Sequence, residues 1–292
     1  MAHHSAYLLG HSENEHQRLA LQSKAVTPFT ERTLRSAGVR PGMSVLDIGA
    51  GLGDVSLLAA GLVGPAGRVV GIERGPQSVH KAGIRARDAG LAHSVRFEVA
   101  DVDSFTWPEK FDVLVGRYIL MYLPDPASTL RHLASLLKPD GIVVMHEMDF
   151  TNTSPSHPPL PEWDQYYALW PKPFLAAGAV PDFGPRLTRT FLDAGFQRPE
   201  VATWVPVGGS GDSAVLDWLS TTCREIEWPL RTAGVTVPDH LRFDDLLPQR
   251  LQDLVLSRRA QVSGPTQFGA HVRLEPLRGG GNASCAREAA ND

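Results

Sequence analysis

A glycine-rich segment carries the clearest chemical signal in the sequence. Residues 45–54 read Val-Leu-Asp-Ile-Gly-Ala-Gly-Leu-Gly-Asp, with glycine at 49, 51 and 53. Apolar residues before the glycines predict a strand, and the apolar run after Asp54 predicts a helix. Alternating glycines let the backbone of such a turn pass very close to a ligand, where side chains would block the approach. Because N–H groups at a helix N-terminus face the turn, the segment predicts a site for a nucleotide-containing cofactor.

Two details of this turn separate the candidate cofactors. Its glycine spacing is G-x-G-x-G, whereas dinucleotide-binding turns carry G-x-G-x-x-G. Asp54 falls at the predicted helix start, where its negative charge disfavours a pyrophosphate. Asp47 and Asp54 suit a cationic cofactor instead, and the sulfonium and ammonium groups of S-adenosylmethionine are both positive. We therefore expect S-adenosylmethionine, with a tight structural turn as the simpler alternative.

Two further acids follow the next predicted strands. Glu73 ends the second strand, 20 residues after Gly53, where a carboxylate can accept hydrogen bonds from both hydroxyls of a ribose. Asp101 follows the third strand and is placed to meet the adenine amino group. Capping of a helix is an alternative role for Asp101.

With these acids, residues 42–147 resemble the class I S-adenosylmethionine-dependent methyltransferases, in particular those acting on small molecules and natural products. The matching segments are 45–53, the acid Glu73, 99–102, 111–117 and 137–141. The resemblance implies that the first segment holds the methionine moiety, Glu73 the ribose and the third segment the adenine. The expected cofactor-binding residues are Gln22, Asp47, Gly49, Ala50, Gly51, Gly53, Asp54, Glu73, Arg74, Asp101, Val102, Arg117 and Tyr122.

The elements that must position these residues alternate along the chain, which is typical of βαβ units. Strands are predicted at 43–48, 68–73, 95–99, 111–116, 141–147, 200–207 and 267–274, and core helices at 54–62, 77–89 and 126–137. They predict an α/β fold with a Rossmann-like, doubly wound, seven-stranded sheet. By the resemblance, the last strand is antiparallel.

Five regions are expected around this sheet. They are an N-terminal helical cap at 1–40, the cofactor-binding core at 41–150, a helical lid insertion at 151–186, the remainder of the core with further lid helices at 187–276, and a disordered tail at 277–292. Within the cap, a capping box predicts a helix over 13–26, and Thr27-Pro28 predicts the start of a second helix that ends at Gly38.

Candidate catalytic residues follow from the place where the acceptor must bind. Methyl transfer is an in-line displacement, so holding the acceptor matters first and acid or base groups second. In open α/β folds ligands bind beyond the carboxyl ends of the strands. His146 and Glu147 alternate on the fifth strand, so only one can face a pocket, and a buried structural role is an equal alternative. The predicted catalytic residues are Tyr7, His11, Tyr118, His146, Glu147 and Glu225.

Three members of that set rest on different arguments. Tyr7 and His11 are placed near the pocket by resemblance, because the N-terminal segment of related small-molecule enzymes folds over the cofactor. Glu225 lies beside the inward stripe of a predicted helix, below Trp218, and a surface glutamate is the simpler alternative. No metal is predicted, because Glu147, Asp149 and Asn152 do not match the spacing of metal-binding acids.

The predicted lid is rich in aromatic residues. Of the 22 aromatic residues, 12 lie between Phe150 and Trp228. Trp163, Tyr166, Tyr167 and Trp170 have the spacing of one helix face. They predict either a small core inside the lid or an aromatic-lined pocket for a flat or cationic acceptor. An indole-type acceptor is one form of the second interpretation.

Composition narrows the partners. A formal net charge of -4 over 292 residues, without a dense basic run, disfavours nucleic acid and anionic membranes. No apolar run approaches the length of a membrane span, and Cys223 and Cys285 make no metal-type or disulfide pattern. We expect a cytoplasmic enzyme with a small, aromatic metabolite as acceptor, and the sequence is compatible with a homodimer.

Three alternatives stay open. One is a nicotinamide-dependent oxidoreductase, which the glycine spacing and Asp54 oppose. Another is a non-catalytic protein that binds S-adenosylmethionine without turnover. The last is a methyltransferase with a protein or RNA acceptor, which the acidic charge balance and the lid disfavour.

Overall fold

The computed structural model describes residues 13–151, 155–209 and 213–275, with side chains from Arg18 onward. The strands are β1 (Ser44–Ile48), β2 (Arg68–Glu73), β3 (Val95–Val99), β4 (Phe111–Arg117), β5 (Leu137–Asp149), β6 (Ser156–His157), β7 (Glu200–Trp204), β8 (Val207–Gly208), β9 (Gln261–Ser263) and β10 (Thr266–Arg273). The predicted residues Tyr7 and His11 and the predicted tail lie outside the described residues.

Helices flank these strands. They are α1 (Glu13–Ser36), α2 (Asp54–Val63), α3 (Pro76–Asp88), α4 (Pro126–Ala134), α5 (Pro161–Tyr167), α6 (Pro171–Ala176), α7 (Leu187–Asp193), α8 (Ala214–Glu225), α9 (Glu227–Thr232) and α10 (Leu247–Ser257). Short 3-10 turns occupy Leu120–Tyr122 and Gly184–Arg186.

Seven strands form one sheet in the order β3-β2-β1-β4-β5-β10-β7. The first five are parallel, and β10 runs antiparallel between β5 and β7. The chain reverses its direction of winding between β1 and β4, which opens a crevice beyond the carboxyl ends of those strands. The predicted Rossmann-like, doubly wound fold with an antiparallel last strand is confirmed.

Both faces of the sheet are buried because successive side chains of a strand point to opposite sides. In β1, Val45 packs into one apolar cluster, whereas Leu46 and Ile48 pack into the other. Strands buried on both sides read as continuous apolar runs. This explains why the parallel core could be predicted closely from the sequence.

The N-terminal cap differs from the prediction. One helix, α1, covers both predicted helices and contains Pro28 in its interior. Proline removes one helical hydrogen bond and disfavours a helix interior by about 3 kcal/mol. Burial of Val26, Phe29 and Leu34 on the same helix offsets this cost. The apolar stripe therefore overrides the proline signal.

The lid region contains a second sheet that the sequence did not predict. Its three strands have the order β6-β9-β8, so residues from three distant segments meet there. The predicted strand 200–207 is split into β7 and β8. No helix in the described parts of the chain is long and apolar enough to cross a membrane.

Candidate functional site

The glycine turn between β1 and α2 has the backbone that its composition predicts. Gly51 has φ +52, and a Cβ there would have the Gly49 carbonyl oxygen, 4.0 Å away, as its nearest neighbour. A Cβ on Gly49 would instead lie 2.8 Å from Ile119 Cδ1, and one on Gly53 would lie 2.7 Å from the Phe97 ring. The outer glycines thus allow the protein to pack, whereas Gly51 leaves space open above the turn for a ligand.

Asp47 supports the turn from below. Its side chain is buried and accepts a 2.5 Å hydrogen bond from Ser56 Oγ on α2. Burial raises the pKa of Asp47 to about 7, against the opposing effect of the Ser56 hydrogen bond. Asp47 therefore has a different role from the predicted one, because a buried carboxyl bonded to α2 holds the turn rather than a cationic group.

Asp54 is also not a free negative charge. Its carboxylate lies 2.7 Å from Arg85 Nη2 and 3.7 Å from Arg117 Nη2. Arg85 also donates a 2.5 Å hydrogen bond to the Leu52 carbonyl inside the turn. Two guanidinium groups face one carboxylate, so the expectation of a negative cradle for a cation is wrong at Asp54.

Glu73 is the acid that meets the glycine turn. At the end of β2, its Oε2 accepts a 3.3 Å hydrogen bond from Gly51 N and its Oε1 accepts one of 2.9 Å from Gly75 N. The carboxylate therefore lies at the open side of the turn, where the ribose was expected. Arg74 follows as an exposed residue.

Asp101 lies at the edge of the site. Its Oδ1 accepts a 2.9 Å hydrogen bond from Asp103 N, and no helix begins there, so it is not a helix cap. An open cleft of about 490 Å³ is lined by Asp101, Phe105 and Trp107. Val102 and Ala50 are buried beneath this part of the site.

His146 sits inside the protein with both ring nitrogens engaged. Nδ1 lies 2.9 Å from Thr30 Oγ1, and Nε2 lies 2.9 Å from Gln267 Oε1. Burial lowers its pKa to about 3, and the nearby Arg117 acts in the same direction. The ring is neutral and both of its nitrogens are engaged, which favours the buried structural role over the catalytic one.

Glu147 points to the other side of β5. It is fully buried, and its Oε1 accepts hydrogen bonds of 3.0 and 2.8 Å from Ile119 N and Leu120 N. Burial raises its pKa to about 8. Glu147 therefore holds the start of the 3-10 turn after β4, which is a structural role rather than the predicted catalytic one.

Tyr118 begins the segment that Glu147 holds. It has φ +57, an unusual conformation for a residue with a side chain. Its hydroxyl donates a 2.5 Å hydrogen bond to Gln267 Oε1, and burial raises its pKa. A hydrogen bond with Gln22 of α1 opposes this rise in the pKa of Tyr118. Gln22 also accepts a 2.7 Å hydrogen bond from Arg18. Of the two tyrosines after β4, Tyr122 is the one that faces the lid, against Phe174 at 6.4 Å.

Glu225 does not join these residues. It ends α8 and pairs with its neighbour Arg224, which also pairs with Asp245. This ion pair is partly buried and favours a structural role for Glu225 over the predicted one beside Trp218, whose indole lies 6.4 Å from that of Trp170.

The aromatic residues of the lid form a core. Trp163, Tyr166, Tyr167 and Trp170 are each at most 4 % exposed. Trp170 packs against Tyr167 at 5.1 Å and against Phe150 at 6.2 Å. This finding favours the first of the two predicted interpretations, a lid that packs its own interior.

Four contributors to this region were missed from the sequence. Thr30, Ser56, Arg85 and Gln267 each bond to a predicted site residue from another element. Their types are common on helices and strands, and their spacing to the glycine turn ranges widely. Only the sheet order could have brought them together.

Comparison with known proteins agrees with this geometry. Residues 40–180 match the family model of a methyltransferase domain. The segment contains the glycine turn, Glu73 and Asp101, and it includes the five parallel strands β1 to β5. Residues 40–180 therefore form a methyltransferase domain, and S-adenosylmethionine is the cofactor of this class.

Particular relatives are more distant. The chain is 35% identical over 157 residues to nocamycin O-methyltransferase of Saccharothrix syringae, covering 53% of this chain and 51% of that protein. It is 34% identical over 116 residues to the ubiquinone/menaquinone biosynthesis C-methyltransferase UbiE of Ectopseudomonas mendocina, covering 39% and 45%. The chain thus spans about half the length of these relatives.

A solved structure extends the likeness over more of the chain. A putative methyltransferase from Bacillus halodurans superposes with a TM-score of 0.54 at 15% identity, covering 84% of this chain and 97% of that one. At this identity the likeness concerns the fold alone.

Proposed function

We propose that the whole chain is an S-adenosylmethionine-dependent methyltransferase acting on a small, aromatic metabolite. The observation that carries the proposal is the open space above Gly51, with the Glu73 carboxylate on one side of it. A bound S-adenosylmethionine supplies an electrophilic methyl group. Everything else that the reaction needs is positioning by the chain.

The residues around the turn fit the parts of this cofactor. Glu73 lies where it can accept hydrogen bonds from two ribose hydroxyls, since its oxygens already face the turn. Asp101 borders the cleft on the adenine side. Arg117 approaches the turn from β4 beside Asp54, at the end where the methionine moiety belongs.

The connection between the sheet and the lid supports an acceptor site at this edge of the sheet. Val180 N donates a 2.9 Å hydrogen bond to the Met121 carbonyl, and Phe150 N donates one of 3.1 Å to the Pro181 carbonyl. These bonds set the lid directly on the carboxyl ends of β4 and β5. Tyr122 and Phe174 lie at this junction, which supports an aromatic acceptor there.

The size and chemistry of the acceptor follow from the same features. The lid covers the junction with buried aromatic residues, and the chain is acidic overall, which favours a small molecule over nucleic acid. The relatives include both an O- and a C-methyltransferase. The proposal therefore covers both oxygen and carbon acceptors.

The direct test is transfer of a labelled methyl group. Purified protein is incubated with methyl-labelled S-adenosylmethionine and a panel of aromatic metabolites, and products are identified by mass. The expected result is a labelled product whose formation falls at least about tenfold in Glu73→Ala, because hydrogen bonds to a charged group are lost. Glu109→Ala, which removes an exposed partner of Arg68, is the matched control.

Three outcomes contradict the proposal in different ways. Cofactor binding without methyl transfer to any acceptor would favour a non-catalytic binding protein. Full cofactor affinity in Glu73→Ala would show that the site is misplaced. Tighter binding of NADH than of S-adenosylmethionine would point to an oxidoreductase.

A further inference from the structure

A buried chain of hydrogen bonds joins α1 to three strands of the sheet. Arg117 Nη1 donates to Thr30 Oγ1 at 3.3 Å, and Thr30 Oγ1 lies 2.9 Å from His146 Nδ1. His146 Nε2 lies 2.9 Å from Gln267 Oε1, which also accepts the Tyr118 hydroxyl at 2.5 Å. We name Arg117, Thr30, His146, Gln267 and Tyr118 the relay.

The protons of the relay can be placed from the shorter contacts, since the Thr30 hydroxyl lies 2.9 Å from His146 Nδ1 and 3.4 Å from its other acceptor, the Val26 carbonyl. Gln267 Nε2 donates to the Pro265 carbonyl at 2.7 Å, which orients the amide so that its oxygen faces His146. An amide oxygen only accepts, so His146 carries its proton on Nε2, and Nδ1 must accept from the Thr30 hydroxyl. The Thr30 oxygen is then left to accept from Arg117. Each hydrogen bond of the relay thereby fixes which atom donates in the next one, and the last bond is donated by the Arg117 guanidinium.

The relay holds Arg117 at the glycine turn. The Arg117 side chain is only 10% exposed, with Nη2 3.7 Å from Asp54 Oδ2 and the guanidinium carbon 5.7 Å from the centre of the Tyr118 ring. A long side chain loses considerable conformational freedom when it is fixed. Here that freedom is removed by the fold before any ligand binds.

The charge near Arg117 indicates what it would bind. Arg85 and Arg117 both face the single carboxylate of Asp54, at 2.7 and 3.7 Å. Burial raises the pKa of Asp47 to about 7, so this acid adds less than a full negative charge. The Asp54 carboxylate lies nearer to Arg85 than to Arg117, so the guanidinium of Arg117 is left with charge that suits an anionic group.

We propose that Thr30 is a positioning residue which, through the relay, holds Arg117 to recognise the carboxylate of the cofactor's methionine moiety. The inference rests on the proposed function, because it needs S-adenosylmethionine as the ligand. It also explains why His146 is buried and neutral: a charged ring would break the order of donors and acceptors that ends at Arg117.

Decarboxylated S-adenosylmethionine is the probe that separates positioning from stability. It keeps the adenosine, sulfonium and amine but lacks the carboxylate. Binding of both compounds is measured by calorimetry to the full chain. Thr30→Val is isosteric and removes the hydroxyl. We expect it to lower the affinity for S-adenosylmethionine by about tenfold, as for loss of one hydrogen bond to a charged group. The affinity for the decarboxylated compound should stay within about twofold of the wild-type value.

The chain offers a matched control on the same helix. Thr33 is also buried on α1, and its hydroxyl donates to the Phe29 carbonyl, one turn back, at 3.0 Å. Thr33→Val should change neither affinity by more than about twofold, since backbone-bonded hydroxyls contribute little. Thr30→Ser keeps the hydroxyl and should retain the preference for the carboxylate. If Thr30→Val does not fold, Arg117→Lys replaces it, because an ammonium cannot bond Thr30 and a ligand in the same fork geometry.

Equal weakening of both compounds by Thr30→Val, or an equal effect of Thr33→Val, would overturn the inference. So would a wild-type protein that binds both compounds equally. If the wild type binds neither compound, the proposed function itself fails, and the inference fails with it.

Discussion

Gly51→Ala tests whether the open side of the glycine turn is cofactor space. The substitution adds one methyl group at a residue with φ +52, and its nearest neighbour would be a carbonyl oxygen at 4.0 Å. A left-handed alanine costs about 1–2 kcal/mol. For a chain of this size that cost lowers Tm by a few degrees. No clash with the protein adds to it.

The effect on the cofactor should exceed this backbone cost. The new methyl group points into the space that the cofactor must occupy, so we expect affinity to fall at least about tenfold, or ~1.4 kcal/mol. Ligand at 100 times Kd stabilises a protein by about 2.7 kcal/mol, and tenfold weaker binding removes about half of that gain. Thermal unfolding with and without S-adenosylmethionine, together with calorimetry, measures both quantities.

Gly90→Ala is the matched control. Gly90 has φ +70 with nothing within 4 Å of its added Cβ, and it lies between α3 and β3. Gly90→Ala has the same backbone cost at a position away from the site. It should therefore lower Tm as much as Gly51→Ala does and leave the affinity for the cofactor unchanged. If Gly51→Ala lowers Tm as much as the control does but binds the cofactor with wild-type affinity, the space above the glycine turn is not the cofactor site.

Three further substitutions test the surroundings of the site. Glu147→Gln removes a carboxyl whose pKa burial raises to about 8. Between pH 4.5 and 8 the folded protein keeps the Glu147 proton while the unfolded protein loses it, so wild-type stability falls as pH rises through that window. The Tm of Glu147→Gln should therefore fall less than that of the wild type between pH 5 and 8. An equal fall of both Tm values would contradict this. Ser56→Ala leaves the buried Asp47 without its 2.5 Å donor, so urea unfolding should show a loss of about 1–3 kcal/mol, and no loss would mean that the bond contributes nothing. Pro28→Ala restores the helical N–H within α1 and should raise Tm, with a gain of up to about 3 kcal/mol; a lower Tm would show that α1 needs the proline.

The parallel core was open to prediction because each signal in it is local. The bounds of β2 and β3 agree with the predicted ones, since apolar runs end at glycine, proline or charged residues. The acid Glu73 could be placed beside the glycine turn because adjacent parallel strands end at the same edge.

The roles of the site residues depended on contacts that spacing does not encode. Asp54 was expected to face a cation, but Arg85 and Arg117 come from α3 and β4 and neutralise it. His146 and Glu147 were correctly expected to point to opposite sides of β5, yet both sides are closed by other segments. Thr30 and Gln267, which close one of them, lie 116 and 121 residues from His146.

The same relay has a consequence for how the protein is made. Gln267 belongs to β10, which inserts between β5 and β7 although it follows both in the chain. During synthesis, Tyr118 and His146 leave the ribosome more than a hundred residues before their partner Gln267 exists. Nascent chains that stop before β10 thus expose two strand edges and lack the Gln267 contact that orients His146, from which the relay continues through Thr30 to Arg117. Cofactor binding is therefore expected to switch on late in translation, when the last strand of the sheet closes.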